Sequence, residues 1–219
     1  MKLIVGNKNY SSWSLRPWLA MKVAGIGFSE VRIPLYGPGA KEQILAFSPA
    51  GKVPCLVDET ANGRLAVWDS LAICEYLAEK TPSLWPSDSA ARAVARSISA
   101  EMHSGFQSLR SHMSMNIRKH YPDKGRTPEV LAEIARIVAM WSDCRARFGK
   151  EGGPFLFGRF SIADAMYAPV VLRFRTYAVE LPEVCKAYAD AVVALPAMQE
   201  WMEAARAETE SLPQFEPYG

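Results

Sequence analysis

Apolar residues fall along this chain in two different rhythms, and the change from one to the other divides it. Near the start, Leu3-Ile4-Val5 is a short run of β-branched and aliphatic residues, which predicts a buried strand. From Leu15 the spacing widens: Leu15, Trp18, Leu19, Met21 and Val23 fit one broad helical face, ended by Ala24-Gly25-Ile26-Gly27. Pro17 falls in the expected first turn, where its missing N–H would have had no partner. Val31, Ile33 and Leu35 then alternate with Glu30, Arg32 and Pro34 as a strand would, and Pro34 points to a sheet edge. A stretch rich in Gly and Pro precedes a short helix expected over Lys41 to Phe47, closed by Ser48-Pro49-Ala50-Gly51. Cys55-Leu56-Val57 and Leu65-Ala66-Val67-Trp68 read as strands joined through the hairpin signal Asn62-Gly63, and a helix is expected from about Ser70 to Lys80. This order predicts a mixed four-stranded sheet with helices packed on it, because parallel strands require a crossover while the hairpin gives an antiparallel pair.

Downstream the period of two disappears. Residues 81–89 are rich in Pro, Ser and Asp, with Leu84-Trp85-Pro86 as an apolar plug, and they predict a linker. Val94, Ile98, Met102, Phe106, Leu109, Met113 and Ile117 recur at three- or four-residue steps, which predicts one long helix. Thr127-Pro128-Glu129 is a helix start, with Thr as N-cap and Pro at the first position. Leu131, Ile134, Val138, Trp141 and Phe148 continue it to about Gly149, with Arg145 and Arg147 at its negative end. Shorter helices are expected from about Ile162, Pro182 and Ala197. The expected organisation is an α+β domain over 1–80, a linker over 81–89 and an all-helical domain over 90–219.

Composition narrows the function classes. At 219 residues, with 49% hydrophobic and 22% charged, the chain has ample material for a globular core. The 25 basic and 23 acidic residues are spread evenly, so there is no electrostatic case for nucleic acid. No apolar run approaches the roughly 20 residues that span a bilayer, and Met1 to Gly6 leads straight into Asn and Lys, so no membrane span and a cytoplasmic location are expected. Cys55, Cys74, Cys144 and Cys185 are widely spaced in apolar neighbourhoods and are expected to be buried, reduced thiols. His103, His112 and His120 have no spacing that suggests a metal or a triad, and no metal is expected.

Four stretches carry candidate chemistry. Tyr10-Ser11-Ser12-Trp13-Ser14-Leu15-Arg16 places serines at a helix N-terminus, where hydroxyls, unpaired N–H groups and the macrodipole together stabilise an anion; the same residues also serve as caps. Gly51-Lys52-Val53-Pro54 puts a proline just before a strand; a cis bond there would offer the Val53 backbone to a ligand, whereas a structural proline would not. Asp69-Ser70 opens a helix and could hold an ammonium and a carboxylate, or simply cap it. Ser161-Ile162-Ala163-Asp164 reads as a capping box that starts a buried helix, a structural element.

In this order the motifs resemble a glutathione transferase over essentially the whole chain. Ser11-Ser12-Trp13-Ser14-Leu15-Arg16 looks like the serine-type signature of the zeta and theta-like classes, and Ser48-Pro49-Ala50-Gly51-Lys52-Val53-Pro54 is similar to their cis-proline loop. The resemblance implies a thioredoxin-like N-terminal domain, an all-helical C-terminal domain, a homodimer and glutathione as co-substrate. It further implies that Val53 before Pro54 pairs with the cysteinyl backbone of glutathione. Asp69 and Ser70 would hold its γ-glutamyl end, and Lys52 and Lys41 would meet its glycyl carboxylate. Ser12, with Ser11 adjacent, would donate to the sulfur and lower the thiol pKa from about 8.5, while Arg16 would position the serine loop or add positive potential. The expected chemistry is thiolate attack on a small apolar electrophile, in a pocket between the serine loop and the long helix walled by Met102, Phe106, Met113, His103 and Trp13.

One departure stands out: the zeta signature has a cysteine where this chain has Trp13. Glutathione-dependent isomerisation of the maleylacetoacetate type, or dehalogenation, is the alternative chemistry. An adaptor that kept the fold without the reaction would have no need of the serine, Val-Pro and Asp-Ser stretches together.

Overall fold

In the computed structural model, which describes residues 1–149 and 152–219, the first 80 residues form the expected mixed sheet. Four strands, β1 (Lys2–Val5), β2 (Ser29–Arg32), β3 (Cys55–Thr60) and β4 (Gly63–Trp68), lie in the order β2-β1-β3-β4. β1 runs parallel to β2 and antiparallel to β3, and β3 and β4 form the hairpin. β2 is an edge strand and ends at Arg32, before Pro34, which could not donate to a ladder.

Both faces of the sheet are covered, and the alternation of side chains sorts the apolar residues between them. Ile4, Cys55 and Val57 pack with Ile44 of α2 (Ala40–Leu45) on one face. Leu3, Val5 and Leu56 face α1 (Ser12–Val23) and α3 (Ser70–Lys80), and join the core of the helical half.

Helix α1 begins at Ser12, earlier than its apolar spacing indicates, so Pro17 is its sixth residue and lies past the first turn. The Trp13 carbonyl therefore lacks the N–H that a residue other than proline would supply at 17. Its one broad apolar face is also an underestimate. Every residue from Ser12 to Met21 except Trp13 is buried, because α1 is held between the sheet and the helices of the second half.

A short 3₁₀ turn, Pro82–Leu84, leads to the helical half. It comprises α4 (Ser89–Ser104), α5 (Gln107–His112), α6 (Pro128–Phe148), α7 (Ile162–Thr176), α8 (Glu183–Ala194) and α9 (Pro196–Ala207). The single long helix expected through Ile117 is instead two helices and an irregular stretch. Gly105 leaves α4 in an extended conformation, with its α-carbon so close to the Glu101 carbonyl that a Cβ would lie 2.7 Å from it, and Phe106 adopts φ 54°. The apolar spacing survives this break because Met102, Phe106, Leu109 and Met113 all still point into the core. α6 starts as read, with Thr127 Oγ1 accepting from the Val130 N–H. The capping box is present, with the buried Asp164 carboxylate accepting from the Ser161 N–H at 2.8 Å.

After α9 the chain returns across the β1–α1 loop. The Glu208 carboxylate accepts from the backbone N–H groups of Lys8 and Asn9 at 2.7 and 3.0 Å. Asn9 Oδ1 in turn accepts from the N–H groups of Ile117 and Arg118, so the loop that precedes the serines is clamped by two distant segments. All four cysteines are buried free thiols, and no helix among the described residues is long and apolar enough to cross a membrane.

Candidate active site

The start of α1 opens into a cleft of about 660 Å³ between the sheet-bearing half and the helical half. The serine loop forms one side: Tyr10, Ser11, Ser12 and Trp13 all line it. Both serines are almost fully buried, but they differ in their partners. Ser11 Oγ donates to Ser14 Oγ at 2.7 Å, and Ser14 Oγ accepts the Gly6 N–H at 3.2 Å, so the Ser11 hydroxyl hydrogen is used inside the loop. Ser12 Oγ instead accepts from Arg173 Nη2 at 3.3 Å, which leaves its hydrogen for a group in the cleft.

Across the cleft stand Lys41, from the first turn of α2, and Lys52 and Val53, from the stretch between α2 and β3. The Val53–Pro54 peptide is cis. Lys41 Nζ donates to the Gly51 carbonyl at 3.2 Å, and Gly51 sits at φ 59°, a left-handed backbone that favours glycine; a Cβ there would lie 2.5 Å from that ammonium and displace it.

The helical half supplies Arg110, Ser114, Met115 and Arg173. Arg173 is 4% exposed, donates through Nε to the Met113 carbonyl at 2.8 Å, and keeps Nη1 without a partner among the described residues. Burial and the neighbouring Arg110 lower its guanidinium pKa to about 10. Arg110 lies over the Trp13 ring at 5.3 Å, with its Nε buried and unpartnered among the described residues. Lys41, Lys52, Arg110 and Arg173 thus give the cleft four cations, and no carboxylate side chain lines it among the described residues. A site with this balance stabilises anions, a thiolate included.

Arg16 stands behind this wall. It is fully buried, lies over the Trp13 ring at 4.1 Å and donates through Nε to the Met166 carbonyl at 3.2 Å. Its two terminal nitrogens have no partner among the described residues, and burial, then Arg173 and Arg110, lower its pKa to about 9. It is not a cleft residue but adds positive charge under the serine loop.

Asp69 and Ser70 lie outside the main cleft lining. Asp69 caps α3, Oδ1 accepting from Leu71 and Ala72 at 2.9 and 3.3 Å, from a backbone at φ 75°. Its Oδ2 is 3.1 Å from His103 Nε2 of α4, and His103 packs edge-on against Trp13 at 5.3 Å. Ser70 Oγ is buried without a partner among the described residues.

The structure therefore brings Ser11, Ser12, Lys41, Lys52 and Val53 to one cleft, and sets Arg16, Pro54, Asp69 and Ser70 around it. The pocket walls need correction. Met102, Phe106 and Met113 are core residues, His103 is bound to Asp69, and only Trp13 of that set lines the cleft. Arg110, Arg173 and Phe215 take their place. Arg173 had a signal in the sequence, a charge set directly after the apolar run Ala168-Pro169-Val170-Val171-Leu172, whereas Arg110 and Phe215 had none.

Comparison with known proteins gives a consistent picture. Residues 10–80 match the family model for the glutathione S-transferase N-terminal domain, and residues 124–204 match that for the C-terminal domain. The chain is 31% identical over 177 residues to maleylacetoacetate isomerase of Rattus norvegicus, covering 78% of this chain and 76% of the relative. A probable maleylacetoacetate isomerase of Caenorhabditis elegans is 38% identical over 100 residues, a match that spans 45% of this chain and only 44% of the relative. Among solved structures, a Burkholderia glutathione transferase homologue with bound glutathione superposes with a TM-score of 0.69 over 94% of this chain and 98% of its own. At 22% identity that likeness concerns the fold alone.

Proposed function

The chain belongs to the glutathione S-transferase family, and on that footing we propose that it binds glutathione in the cleft and directs its thiolate to an electrophilic carbon of an acid. The observation that carries this reading is the cleft's four cations without a carboxylate among the described residues, two of them guanidiniums with unpartnered N–H groups.

Glutathione has two carboxylates, one ammonium and a thiol. In this reading Lys41 and Lys52 meet its glycyl carboxylate, Val53 pairs with its peptide backbone, and Asp69 and Ser70, beside the cleft, take its γ-glutamyl end. Ser12 is the group for the sulfur. Its oxygen already accepts from Arg173, so its hydrogen is polarised toward the cleft, and hydroxyl, helix end and buried guanidiniums each favour thiolate over thiol. Ser11, committed to Ser14, shapes the loop. When the sulfur attacks, a C–S bond forms, and the electron pair moves to the electrophile and is quenched by a proton or carried away by a leaving group.

Arg110 and Arg173 favour a second substrate with a carboxylate, because a guanidinium binds carboxylate through paired N–H groups and each keeps a buried nitrogen, Arg110 Nε and Arg173 Nη1, without a partner among the described residues. This makes isomerisation the specific second reading, in keeping with the names of the rat and nematode relatives. Thiolate adds to a cis-enone acid, the former double bond rotates as a single bond, and breaking the same C–S bond returns the thiolate. A homodimer and a cytoplasmic location complete the proposal; Leu65 and Trp68 on the outer strand β4 are exposed at 39% and 47%, a surface that a second copy would bury.

The test is to incubate the protein with glutathione and (Z)-4-oxopent-2-enoate while following free thiol and the cis and trans acids. Thiol consumed in step with the acid means conjugation; trans acid formed with thiol conserved means isomerisation. No reaction of either kind, with the bound thiol titrating at its free value, would sink the proposal.

A further inference from the structure

The segment after α9 takes no part in the reading above, yet it forms a wall of the same cleft. Phe215 lines it together with Tyr10 and Tyr36. The Phe215 ring is stacked on Tyr10 at 5.7 Å and 28°, and is 6.0 Å from the ring of Tyr36. Tyr36 is 70% exposed on a backbone at φ 62°, so a large ring is held out at the rim with little protein covering it.

The anchoring of this wall is dense. The Tyr10 hydroxyl donates to Glu216 and accepts from Arg118 Nη2 at 2.8 Å and from the Leu212 N–H at 3.3 Å. Arg118 also donates to the Glu210 carbonyl at 2.6 Å. Ser114, itself a cleft residue, donates through Oγ to the Phe215 carbonyl at 2.8 Å. The residue before it, Met113, gives its carbonyl to Arg173. The aromatic wall and the guanidinium are thus fixed to consecutive residues of one irregular stretch, and a ligand that meets one is within reach of the other.

We propose that Phe215 is a specificity-determining residue for the second substrate: with Tyr10 and Tyr36 it receives the flat, unsaturated or aromatic part of an acid whose carboxylate is taken by Arg110 and Arg173. This rests on the acid reading of the cleft. Ring-on-ring contact rewards a planar π-bearing group beyond its area alone, and an aliphatic replacement forfeits that part. Phe215 meets the serine loop through Tyr10, whose carbonyl accepts the Ser12 N–H at 3.0 Å; truncating the Phe215 ring leaves that backbone bond in place, so the ring acts on the choice of partner and not on formation of the thiolate.

The experiment uses two unreactive keto acids, 3-benzoylpropionate and levulinate, which share the carboxylate and differ in carrying a phenyl or a methyl group. Their dissociation constants are measured by calorimetry on wild type, Phe215→Ala and Phe215→Leu, without glutathione turnover. The wild type should prefer the benzoyl acid, Phe215→Ala should lose that preference by roughly three- to tenfold, and Phe215→Leu should lose part of it, levulinate binding being unchanged. An unchanged ratio in both variants, or equal weakening of both acids, overturns the role of Phe215 while leaving the acid reading intact. If wild type binds the benzoyl acid but not levulinate, and Phe215→Ala abolishes that binding, Phe215 keeps its role and the acid reading fails. Binding of neither acid to wild type overturns both.

Discussion

Arg173, in the last turn of α7, donates through Nη2 to the hydroxyl oxygen of Ser12 at 3.3 Å, joining two helices whose residues are 161 positions apart. The serine–thiolate pair is therefore a joint product of both halves of the chain. Ser12→Ala removes the donor to the sulfur and should raise the pKa of the bound glutathione thiol by about one unit, a roughly tenfold loss of thiolate preference. Ser11→Ala should leave that pKa in place and cost about 1 kcal/mol of stability through the lost Ser14 bond. Ultraviolet titration of the bound thiolate checks both, and equal shifts in the two variants would contradict the assignment to Ser12.

Arg110 lies over Trp13 with its Nε unpartnered among the described residues, and although it shares in the cleft's positive potential it makes no hydrogen bond to Ser12 as Arg173 does. Its use is in holding the second substrate. Arg110→Gln should lower kcat/KM for (Z)-4-oxopent-2-enoate by roughly 10- to 100-fold, the worth of a charge-assisted hydrogen bond, and leave 1-chloro-2,4-dinitrobenzene, which has no carboxylate, within about twofold. A parallel loss on both electrophiles would instead assign Arg110 to glutathione.

The sheet was legible because both its rhythms are local: strands alternate every second residue, and the hairpin carries its own turn signal. The serines, Lys52 and Val53 were legible because each belongs to a short motif, whereas Lys41 came only from the family resemblance. The failures have one cause, which is burial that does not follow period. α1 is enclosed on all sides, so its start could not be placed from an apolar face, and the break at Gly105-Phe106 leaves the core-facing spacing intact. Arg110 and Phe215 reach the cleft from positions 98 and 203 residues beyond Ser12, and no local pattern announces such a meeting.

Glu208 shows how far the serine loop depends on distant chain. Its side chain is 5% exposed, and its carboxylate meets the N–H groups of Lys8 and Asn9 and the guanidinium of Arg32. Glu208→Ala leaves two backbone donors without an acceptor, and should cost about 2–3 kcal/mol. It should also accelerate amide exchange at Lys8 and Asn9 well above that at the sheet core. Glu208→Gln, which keeps one acceptor oxygen, should lose less. Unchanged exchange at those two amides in the alanine variant would show that the clamp does not hold the loop.

Asp164 gives a pH dependence whose sign is opposite to that of an ordinary ion-paired carboxylate. It accepts from the Leu156 N–H at 3.0 Å, the Ser161 N–H at 2.8 Å and the Ser161 hydroxyl at 3.1 Å, all of which favour the charged form. Burial outweighs them and pushes its carboxyl up to about 6. In the unfolded chain the same group titrates near about 3.9. Between those values the folded protein holds a proton that the unfolded chain has released, so this residue's contribution falls as pH rises from about 4 to about 6, and is level above that. Asp58 is lowered by Lys80 and Tyr76 and contributes the opposite slope, which makes the wild-type curve alone uninformative. The difference in unfolding free energy between wild type and Asp164→Asn isolates the effect, since the variant cannot titrate there and any loss of cap strength is a constant offset. Urea unfolding at intervals from pH 4 to pH 7 should show that difference declining by on the order of 2 kcal/mol. A flat difference would mean that the three donors hold Asp164 near its ordinary value, and that the capping box is charged throughout.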